Sequence, residues 1–194
     1  MSKPEVVLVR HGETLWSRGG KHTGRTDIPL TDEGRRQSER VGDTLRGRLF
    51  ALVLTSPLQR AAETCRLAGL ADVAAFREEL MEWDYGAYEG RTTPEIRAEV
   101  PGWSLWRDGV PGGETAADVG RRVDRVIAEI GDVHGDVVLF AHGHVLRVLA
   151  ARWLGLPPTE GRLFALDPVT ISILGYERET PVIRRWNEPP SARR

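Results

Sequence analysis

This sequence of 194 residues contains one cysteine, almost no net charge and no long apolar run. The single cysteine, Cys65, excludes an internal disulfide, and its place in a predicted helix favours a small buried side chain over a nucleophile. The net charge of −1 argues against a generally basic nucleic-acid binder. No apolar run approaches the length of a membrane span, and residues 1–5 have no signal-like pattern. We therefore expect a cytoplasmic protein without nucleic-acid or membrane partners.

The chain does have enough residues and apolar side chains for one sizeable core. Hydrophobic residues make up 40% and charged residues 28% of the sequence, which is the balance of a globular protein. A chain of 194 residues is too short for two ordinary domains. We expect a single domain over residues 1–194, with a loose tail at about residues 187–194.

Apolar periodicity and capping residues predict the elements. Strands are expected at residues 6–9, 51–54, 73–76 and 137–140, with a closing pair at 170–174 and 182–186. Helices are expected from residue 31 to about 47, 57 to 69, 93 onward, 115 to about 130, and 145 to 154. Residues 15–30, 78–92 and 101–113 are expected to be loops. The alternation of strands and helices predicts an α/β fold with a mostly parallel sheet.

Two of the predicted strands end in the same unusual way. Residues 6–9 lead into R-H-G at 10–12, and residues 137–140 lead into A-H-G-H at 141–144. A single R-H-G is also compatible with an ordinary polar loop. In a parallel sheet, ligands bind beyond the carboxyl ends of the strands. We therefore expect both imidazoles to face one crevice.

A third strand end adds positive charge to this crevice. The turn T-S-P at 55–57 leads into a helix whose first turn holds Arg60. A helix N-terminus presents unpaired N–H groups, and a guanidinium binds phosphate through two hydrogen bonds, so this turn favours an anion. Arg10, His11, Arg60 and His142 would then form one cationic cluster. The plainer interpretation is that Arg60 is a solvated helix residue.

Five blocks of the sequence carry a resemblance to a known family. They are R-H-G-E-T at 10–14, T-G-R-T-D-I-P-L-T at 23–31, T-S-P-L-Q-R-A-A-E-T at 55–64, M-E-W-D-Y-G-A-Y-E-G at 81–90 and A-H-G-H at 141–144. In these blocks and their order the chain resembles the histidine phosphatase superfamily. The segments L-W-S-R-G-G-K-H-T-G and H-G-H-V-L-R are similar to its sedoheptulose- and fructose-bisphosphatase-type branch. This resemblance implies a three-layer α/β/α fold, phosphoglycerate mutase-like.

The resemblance also implies roles for single residues. His11 would be the nucleophile that takes up a phosphoryl group, and Glu82 matches the family's proton donor to the leaving oxygen. The residues expected to hold the phosphoryl oxygens are Arg10, Arg60 and His142. The residues expected to contact phosphate or substrate are Ser17, His22, Thr23, Gly24, Tyr85 and Gly143. No metal or cofactor is expected, the expected partner is a small phosphorylated metabolite, and the oligomeric state is left open.

Some of these assignments have alternatives within the site. His22 and Tyr85 are equally compatible with a role in packing alone. His144 is compatible with a place beside the site or in the core. Ser17 differs from the asparagine that is usual in the mutases, but it fits the bisphosphatase-like branch.

A phosphoglycerate mutase that uses the same His11 is the first alternative function. A mutase must keep a phosphorylated acid in place while it reorients, and members of that group carry a basic insertion over the site. Residues 85–113 contain no lysine and only the arginines Arg91, Arg97 and Arg107. Water would reach the site more easily here, so hydrolysis is favoured.

Two further alternatives use the same residues differently. A zinc hydrolase would use His11, His142, His144 and Glu82 as metal ligands, although the arginines would then place cations beside a cation. A non-catalytic sensor of phosphate ligands would keep the fold without the chemistry. The presence of a nucleophile, cations and an acid together argues against such a sensor.

Overall fold

A computed structural model of the chain describes residues 4–190 and shows a six-stranded sheet. Its strands are β1 (Val6–Arg10), β2 (Leu52–Thr55), β3 (Ala74–Phe76), β4 (Val137–Ala141), β5 (Ile171–Glu177) and β6 (Thr180–Glu188). They lie in the order β3-β2-β4-β1-β5-β6. Neighbours among the first four strands are parallel, whereas β5 and β6 add antiparallel at one side. The predicted mostly parallel α/β sheet and the closing hairpin are confirmed.

Strands β1 and β4 are neighbours at the centre of the sheet. Their apolar residues are buried because helices cover both faces, which is why both segments are unbroken apolar runs. The parallel register pairs Arg10 with Ala141, the last residues of the two strands. The residues that follow, His11 and His142, therefore emerge together at the carboxyl edge of the sheet.

Seven α-helices surround the sheet within residues 4–190. They are α1 (Leu15–Arg18), α2 (Asp32–Leu45), α3 (Gln59–Leu67), α4 (Thr93–Glu99), α5 (Leu105–Asp108), α6 (Ala116–Gly131) and α7 (Gly143–Trp153). Thr31 caps α2, and Thr115 caps α6 in the predicted capping box with Asp118, so local sequence fixes where both helices begin. None of the helices between residues 4 and 190 is long and apolar enough to cross a membrane.

Each face of the sheet has its own helices and its own core. Successive residues of a strand point to opposite faces, so Val9 packs in the cluster that contains Cys65 of α3. Leu8 packs in the other cluster, with Val123 of α6 and Leu146 of α7. The three-layer α/β/α arrangement is thus confirmed. Burial raises the pKa of the Cys65 thiol to about 12, in accordance with the predicted role as a small buried side chain.

Two predictions about the loops and the third helix need correction. Helix α3 begins at Gln59 and not at Pro57. The Oγ of Ser56 accepts the N–H of Leu58 at 3.3 Å, which forms a turn between the strand and the helix. The segment 15–30 is not wholly irregular, because Thr14 and Ser17 form a capping box that starts the short helix α1.

The predicted loose tail was placed too early. Strand β6 extends to Glu188, so residues 187 and 188 belong to the sheet. Asn187 donates from its backbone N–H to Ser172 and from its side-chain amide to Asp167. These hydrogen bonds fix the position of Asn187, although the polar sequence around it had predicted the start of a loose tail. Residues 191–194 of the predicted tail lie outside the described residues.

Candidate active site

The carboxyl ends of β1 and β4 lie beside a cavity of about 170 Å³. The rings of His11 and His142 are 5.1 Å apart between centroids. The backbone N–H of His11 donates to the carbonyl of Ala141 at 3.0 Å, which continues the parallel ladder by one residue and fixes where His11 leaves the sheet. The two imidazoles lie side by side, but His11 lines the cavity and the fully buried His142 does not.

Eight of the eleven predicted site residues line this cavity. They are Arg10, His11, Ser17, His22, Thr23, Glu82, Tyr85 and Gly143. Gly24, Arg60 and His142 do not line it. Two larger grooves, of about 490 and 620 Å³, open elsewhere on the surface, and neither is lined by a histidine. The chemistry of the lining residues, not the volume, therefore identifies the site.

His11 is held in one tautomer by the next residue. Its Nδ1 lies 2.7 Å from the carbonyl oxygen of Gly12, which can only accept, so the ring proton is assigned to Nδ1. This leaves a lone pair on Nε2. Burial, followed by the positive charges of Arg60 and Arg10, holds the pKa of His11 well below 6.5. The ring is uncharged at neutral pH, and Nε2 can act as a nucleophile.

Arg10 brings a positive charge to the cavity and has a hydrogen-bond donor without an acceptor. Its Nη1 donates to the carbonyl of Leu166. Its buried Nε has no partner within residues 4–190. An unpaired buried donor is costly, and an anionic oxygen in the cavity would supply the acceptor. A Cβ on Gly143 would lie 3.4 Å from this Nε, so a larger residue there would crowd the guanidinium.

Glu82 is only 5% exposed and lines the cavity together with His11. Its Oε1 accepts the N–H groups of Trp83 and Val145, both at 2.9 Å, and its Oε2 accepts that of His144 at 3.0 Å. The donors at His144 and Val145 belong to the first turn of α7, where backbone N–H groups have no intrahelical partner. The carboxyl group is therefore fixed between its own loop and the helix that follows β4.

Arg60 and His142 form a fully buried pair. The Nε of Arg60 donates to Nδ1 of His142 at 3.1 Å, and because arginine can only donate, the proton of this neutral ring is on Nε2. That Nε2–H donates to the Oγ of Ser56 at 2.8 Å. The other Arg60 donors bond to the backbone carbonyls of Thr23 (3.1 Å), Gly24 (2.8 Å) and Thr26 (3.0 Å).

This pair changes the interpretation of two predicted residues. Arg60 is not a solvated helix residue, because its guanidinium ties α3 to the loop at 23–26 and to the end of β4. Direct contact of Arg60 and His142 with phosphoryl oxygens stays a prediction. The backbone N–H of Gly24 donates to the carboxylate of Glu89 at 2.8 Å, so a direct contact between Gly24 and substrate also stays a prediction.

Three uncharged rings form part of the cavity wall. The hydroxyl of Tyr85 lies 2.5 Å from Nδ1 of His144, and the rings of His22 and Tyr85 are 4.8 Å apart between centroids. Burial lowers the pKa of His22 to about 4, lowers that of His144 well below 6.5, and raises that of Tyr85. The wall therefore presents neutral hydrogen-bonding groups.

Lys21 and Arg147 also line the cavity, although no role was predicted for either. The guanidinium of Arg147 lies 4.8 Å from the ring centroid of Trp106, and its Nε donates to the carbonyl of Gly161 at 3.1 Å. Arg147 follows Gly143 by four residues on α7, which places both on one helix face. That spacing in H-G-H-V-L-R was a usable signal for Arg147, whereas Lys21 lies in a stretch without periodicity.

The residues of the zinc alternative do not offer a set of free ligand atoms. Both ring nitrogens of His142 are engaged, and both carboxylate oxygens of Glu82 accept backbone N–H groups. Between residues 4 and 190, no group of three or more His, Cys, Asp or Glu side chains is arranged to hold a metal ion. The neighbouring arginines would also repel a cation.

The chain belongs to the histidine phosphatase superfamily (branch 1), whose sequence profile matches residues 6–189. An acid phosphatase of Mycobacterium tuberculosis is 44% identical over 177 residues, which cover 89% of this chain and 86% of that protein. Sedoheptulose 1,7-bisphosphatase of Saccharomyces cerevisiae is 39% identical over 186 residues, which cover 79% of this chain and 68% of that protein.

A solved structure of an open reading frame of Mycobacterium tuberculosis shares the whole architecture. It matches with a TM-score of 0.91 at 39% identity and covers 97% of this chain and 99% of its own. The resemblance and the phosphoglycerate mutase-like fold are confirmed. The superfamily and its phosphatase relatives support a hydrolase of phosphomonoesters.

Proposed function

We propose that this protein is a phosphatase that hydrolyses small phosphomonoesters, sugar phosphates or bisphosphates, through a phosphohistidine formed on His11. The observation that carries the proposal is the state of His11, an uncharged ring with its proton on Nδ1 and a lone pair on Nε2. Arg10 lines the same cavity, and its buried Nε has no acceptor among residues 4–190. A nucleophile and an anion-binding group thus lie together, as phosphoryl transfer requires. The reaction needs no metal or cofactor and would take place in the cytoplasm.

The chemistry has two steps. In the first, Nε2 of His11 forms a bond to phosphorus while the bond between phosphorus and the ester oxygen breaks, and the carboxyl of Glu82 gives that oxygen a proton. In the second, a water oxygen attacks phosphorus, the P–N bond returns its electron pair to Nε2, and the carboxylate of Glu82 takes the water proton. Inorganic phosphate leaves, and both residues regain their starting states. Arg10, Arg60 and His142 stabilise the charge on the phosphoryl oxygens.

The outer part of the cavity suits a substrate with hydroxyl groups and a second anionic group. The neutral wall of His22, Tyr85 and His144 offers polar atoms without charge, and Lys21 and Arg147 add two cations. Ser17 and Thr23 line the same cavity and would complete the contacts to the ester. A sugar bisphosphate has both features, and a bisphosphate is the substrate named for the yeast relative.

A phosphoglycerate mutase with the same phosphohistidine is less well supported. The three arginines of residues 85–113 do not line the cavity. They bond elsewhere, Arg91 to Glu99, Arg107 to Asp108, and Arg97 to the carbonyl of Trp103. This segment therefore does not supply residues that would retain a phosphorylated acid over the site.

Trapping the intermediate tests the proposed mechanism. Wild-type protein quenched during turnover of a ³²P-labelled sugar phosphate should carry label that is lost in acid and survives alkali, as a phosphoramidate does. His11→Ala should carry no label and have no turnover, whereas His134→Ala removes an exposed histidine outside the cavity and should behave as the wild type. An acid-stable, alkali-labile adduct, or undiminished turnover by His11→Ala, would refute the mechanism.

A substrate screen separates the alternatives. Phosphate release would be measured from sugar phosphates, sugar bisphosphates, phosphoglycerates and nucleotides, with and without chelator. We expect sugar esters to give the highest kcat/KM and chelator to have no effect. Isomerisation of phosphoglycerate without phosphate release would establish a mutase. Loss of activity in chelator and its recovery with zinc would establish a metal enzyme.

A further inference from the structure

Thr64 connects α3 to the peptide that follows the nucleophile. Its side chain is fully buried, and its Oγ1 accepts the backbone N–H of Gly12 at 3.0 Å. The same hydroxyl donates its proton to the carbonyl of Arg60 at 2.7 Å, one helical turn earlier. Because that proton is committed to Arg60, the Oγ1 lone pairs are left to accept from Gly12. The direction of the contact is therefore fixed.

Gly12 is confined on its other side as well. A Cβ at Gly12 would lie 2.5 Å from the carbonyl oxygen of Gly34 and 2.7 Å from the Oγ of Ser38, both in α2. Only glycine permits this close approach. A glycine also has wide freedom in φ and ψ, and that freedom would let its carbonyl turn away from Nδ1 of His11. The hydrogen bond from Gly12 to Thr64 restricts this motion.

We propose that Thr64 is a positioning residue for the nucleophile. By holding the N–H of Gly12, it keeps the Gly12 carbonyl against Nδ1 of His11 and leaves Nε2 as the atom that attacks phosphorus. Its effect on turnover rests on the proposed phosphohistidine mechanism, whereas its effect on the His11 tautomer does not. One face of α3 thus serves both histidines, since Arg60 contacts His142 and Thr64 reaches His11 through Gly12.

Three variants isolate the hydroxyl of Thr64. Thr64→Val keeps the shape but leaves the Gly12 N–H buried without an acceptor, so kcat should fall about 10- to 100-fold, as for other lost supporting contacts. KM should change little, because the cations that bind phosphate are untouched. Thr64→Ser keeps the hydroxyl and should recover most of kcat. Ser172→Ala is the matched control, because it removes a fully buried hydroxyl on β5 that also accepts a backbone N–H, that of Asn187 at 3.0 Å.

The tautomer of His11 is the deciding readout, since loss of packing alone would not change it. Imidazole ¹⁵N spectra of the full-length protein without substrate, assigned with His11→Ala, should show His11 protonated at Nδ1 in the wild type, Thr64→Ser and Ser172→Ala. Thr64→Val should show both tautomers, and Thr64→Ala replaces it if the valine variant does not fold. In the phosphorylated wild type, ³¹P spectra should place the phosphoryl group on Nε2.

Several results would overturn the inference about Thr64. These are a wild-type ring protonated at Nε2, a Thr64→Val ring that keeps the wild-type tautomer, or an equal shift in Ser172→Ala. Failure to detect any phosphohistidine in the wild type would instead count against the proposed function. The tautomer spectra would still decide the role of Thr64 in that case.

Discussion

The Nε of Arg60 donates a hydrogen bond to Nδ1 of His142 at 3.1 Å, and both side chains are fully buried. The same guanidinium bonds to three carbonyls of the loop at 23–26. Arg60 therefore fixes the proton of His142 and the shape of that loop at once. A planar group with divergent donors is required for this geometry.

Arg60→Lys keeps the charge but loses that geometry. An ammonium cannot reach one imidazole and three carbonyls in different directions, so we expect kcat/KM to fall by at least about 10²-fold, with kcat lowered and KM raised. Steady-state kinetics on a sugar phosphate measures this. Arg66→Lys, on the exposed side of the same helix and paired with Glu63, is the control. Equal kinetics of the two variants would show that charge alone suffices.

Glu82→Gln separates a proton donor from a structural carboxyl. The amide keeps the size of the side chain but has no proton to transfer, so hydrolysis of a sugar phosphate, whose alkoxide leaves poorly, should fall about 10²–10⁴-fold. Phosphoryl transfer from nitrophenyl phosphate to His11 should fall much less, because nitrophenolate leaves without a proton. A pre-steady-state burst measures that transfer directly.

The comparison of the two substrates also shows whether Glu82→Gln perturbs the structure of the site. An amide at position 82 would direct an N–H group at backbone donors such as those of His144 and Val145, which perturbs the site on any substrate. Equal losses on both substrates would therefore assign Glu82 to holding α7 and the loop in place. Glu78→Gln changes an exposed carboxylate of the same loop and should leave both rates unaltered.

Arg147→Met tests the second anionic group of the substrate. Methionine retains apolar packing near Trp106 but removes the charge. A hydrogen bond to a charged group contributes about 1.5–3 kcal/mol, so kcat/KM for a sugar bisphosphate should fall roughly 10- to 100-fold, and that for the matching monophosphate far less. Arg152→Met, further along α7 and paired with Asp124, is the control. A parallel loss on both esters would place Arg147 outside substrate recognition.

The buried histidines predict how stability depends on pH. The pKa values of His11, His142 and His144 are well below 6.5 and that of His22 is about 4, mainly because of burial. Below pH 6.5 the unfolded chain therefore binds more protons than the folded one, and the free energy of unfolding must fall as pH falls. Each histidine contributes up to about 1.4 kcal/mol per pH unit to this slope.

Urea unfolding at pH 7.5, 6.5, 5.5 and 5.0 measures that slope. Carboxyl groups with lowered pKa values contribute only nearer pH 4.5, so the window from 6.5 to 5.0 belongs to the histidines. His22→Asn should make the slope shallower, and the exposed His134→Asn serves as the control. Greater stability at pH 5.0 than at pH 7.5 would contradict the burial of uncharged rings.

The edge of the sheet where the site lies was predictable because its signals are local. In β1 and β4 a short apolar run gives way abruptly to polar residues, at Arg10 in β1 and at His142 just after β4, so the local sequence indicates both the burial and the end of each strand. The parallel arrangement then brings His11 and His142 together without further information. The capped helices α2 and α6 were predictable for the same reason.

The contacts of Arg60 and Glu82 were not predictable, because they come from distant segments. Glu89 accepts the N–H groups of Gly24 and Thr26 at 2.8 and 3.1 Å. These hydrogen bonds position the loop whose carbonyl groups accept from Arg60. Glu82 is held by donors more than sixty positions along the chain. The residue types and the periodicity of a sequence do not show which distant segments will form hydrogen bonds of this kind. The resemblance identified the residues but not whether they face the cavity.

The register of α3 places a limit on how this chain can change in length. Arg60 and Thr64 act from one side of the helix, and one additional residue between them would rotate Thr64 by about 100° about the axis. The exposed turn at residues 178–179 can lengthen without such an effect. An insertion between Arg60 and Thr64 would instead prevent the two from contacting His142 and Gly12 at the same time, although neither histidine is changed. A deletion or insertion scan should therefore show loss of activity in α3 and not at that turn.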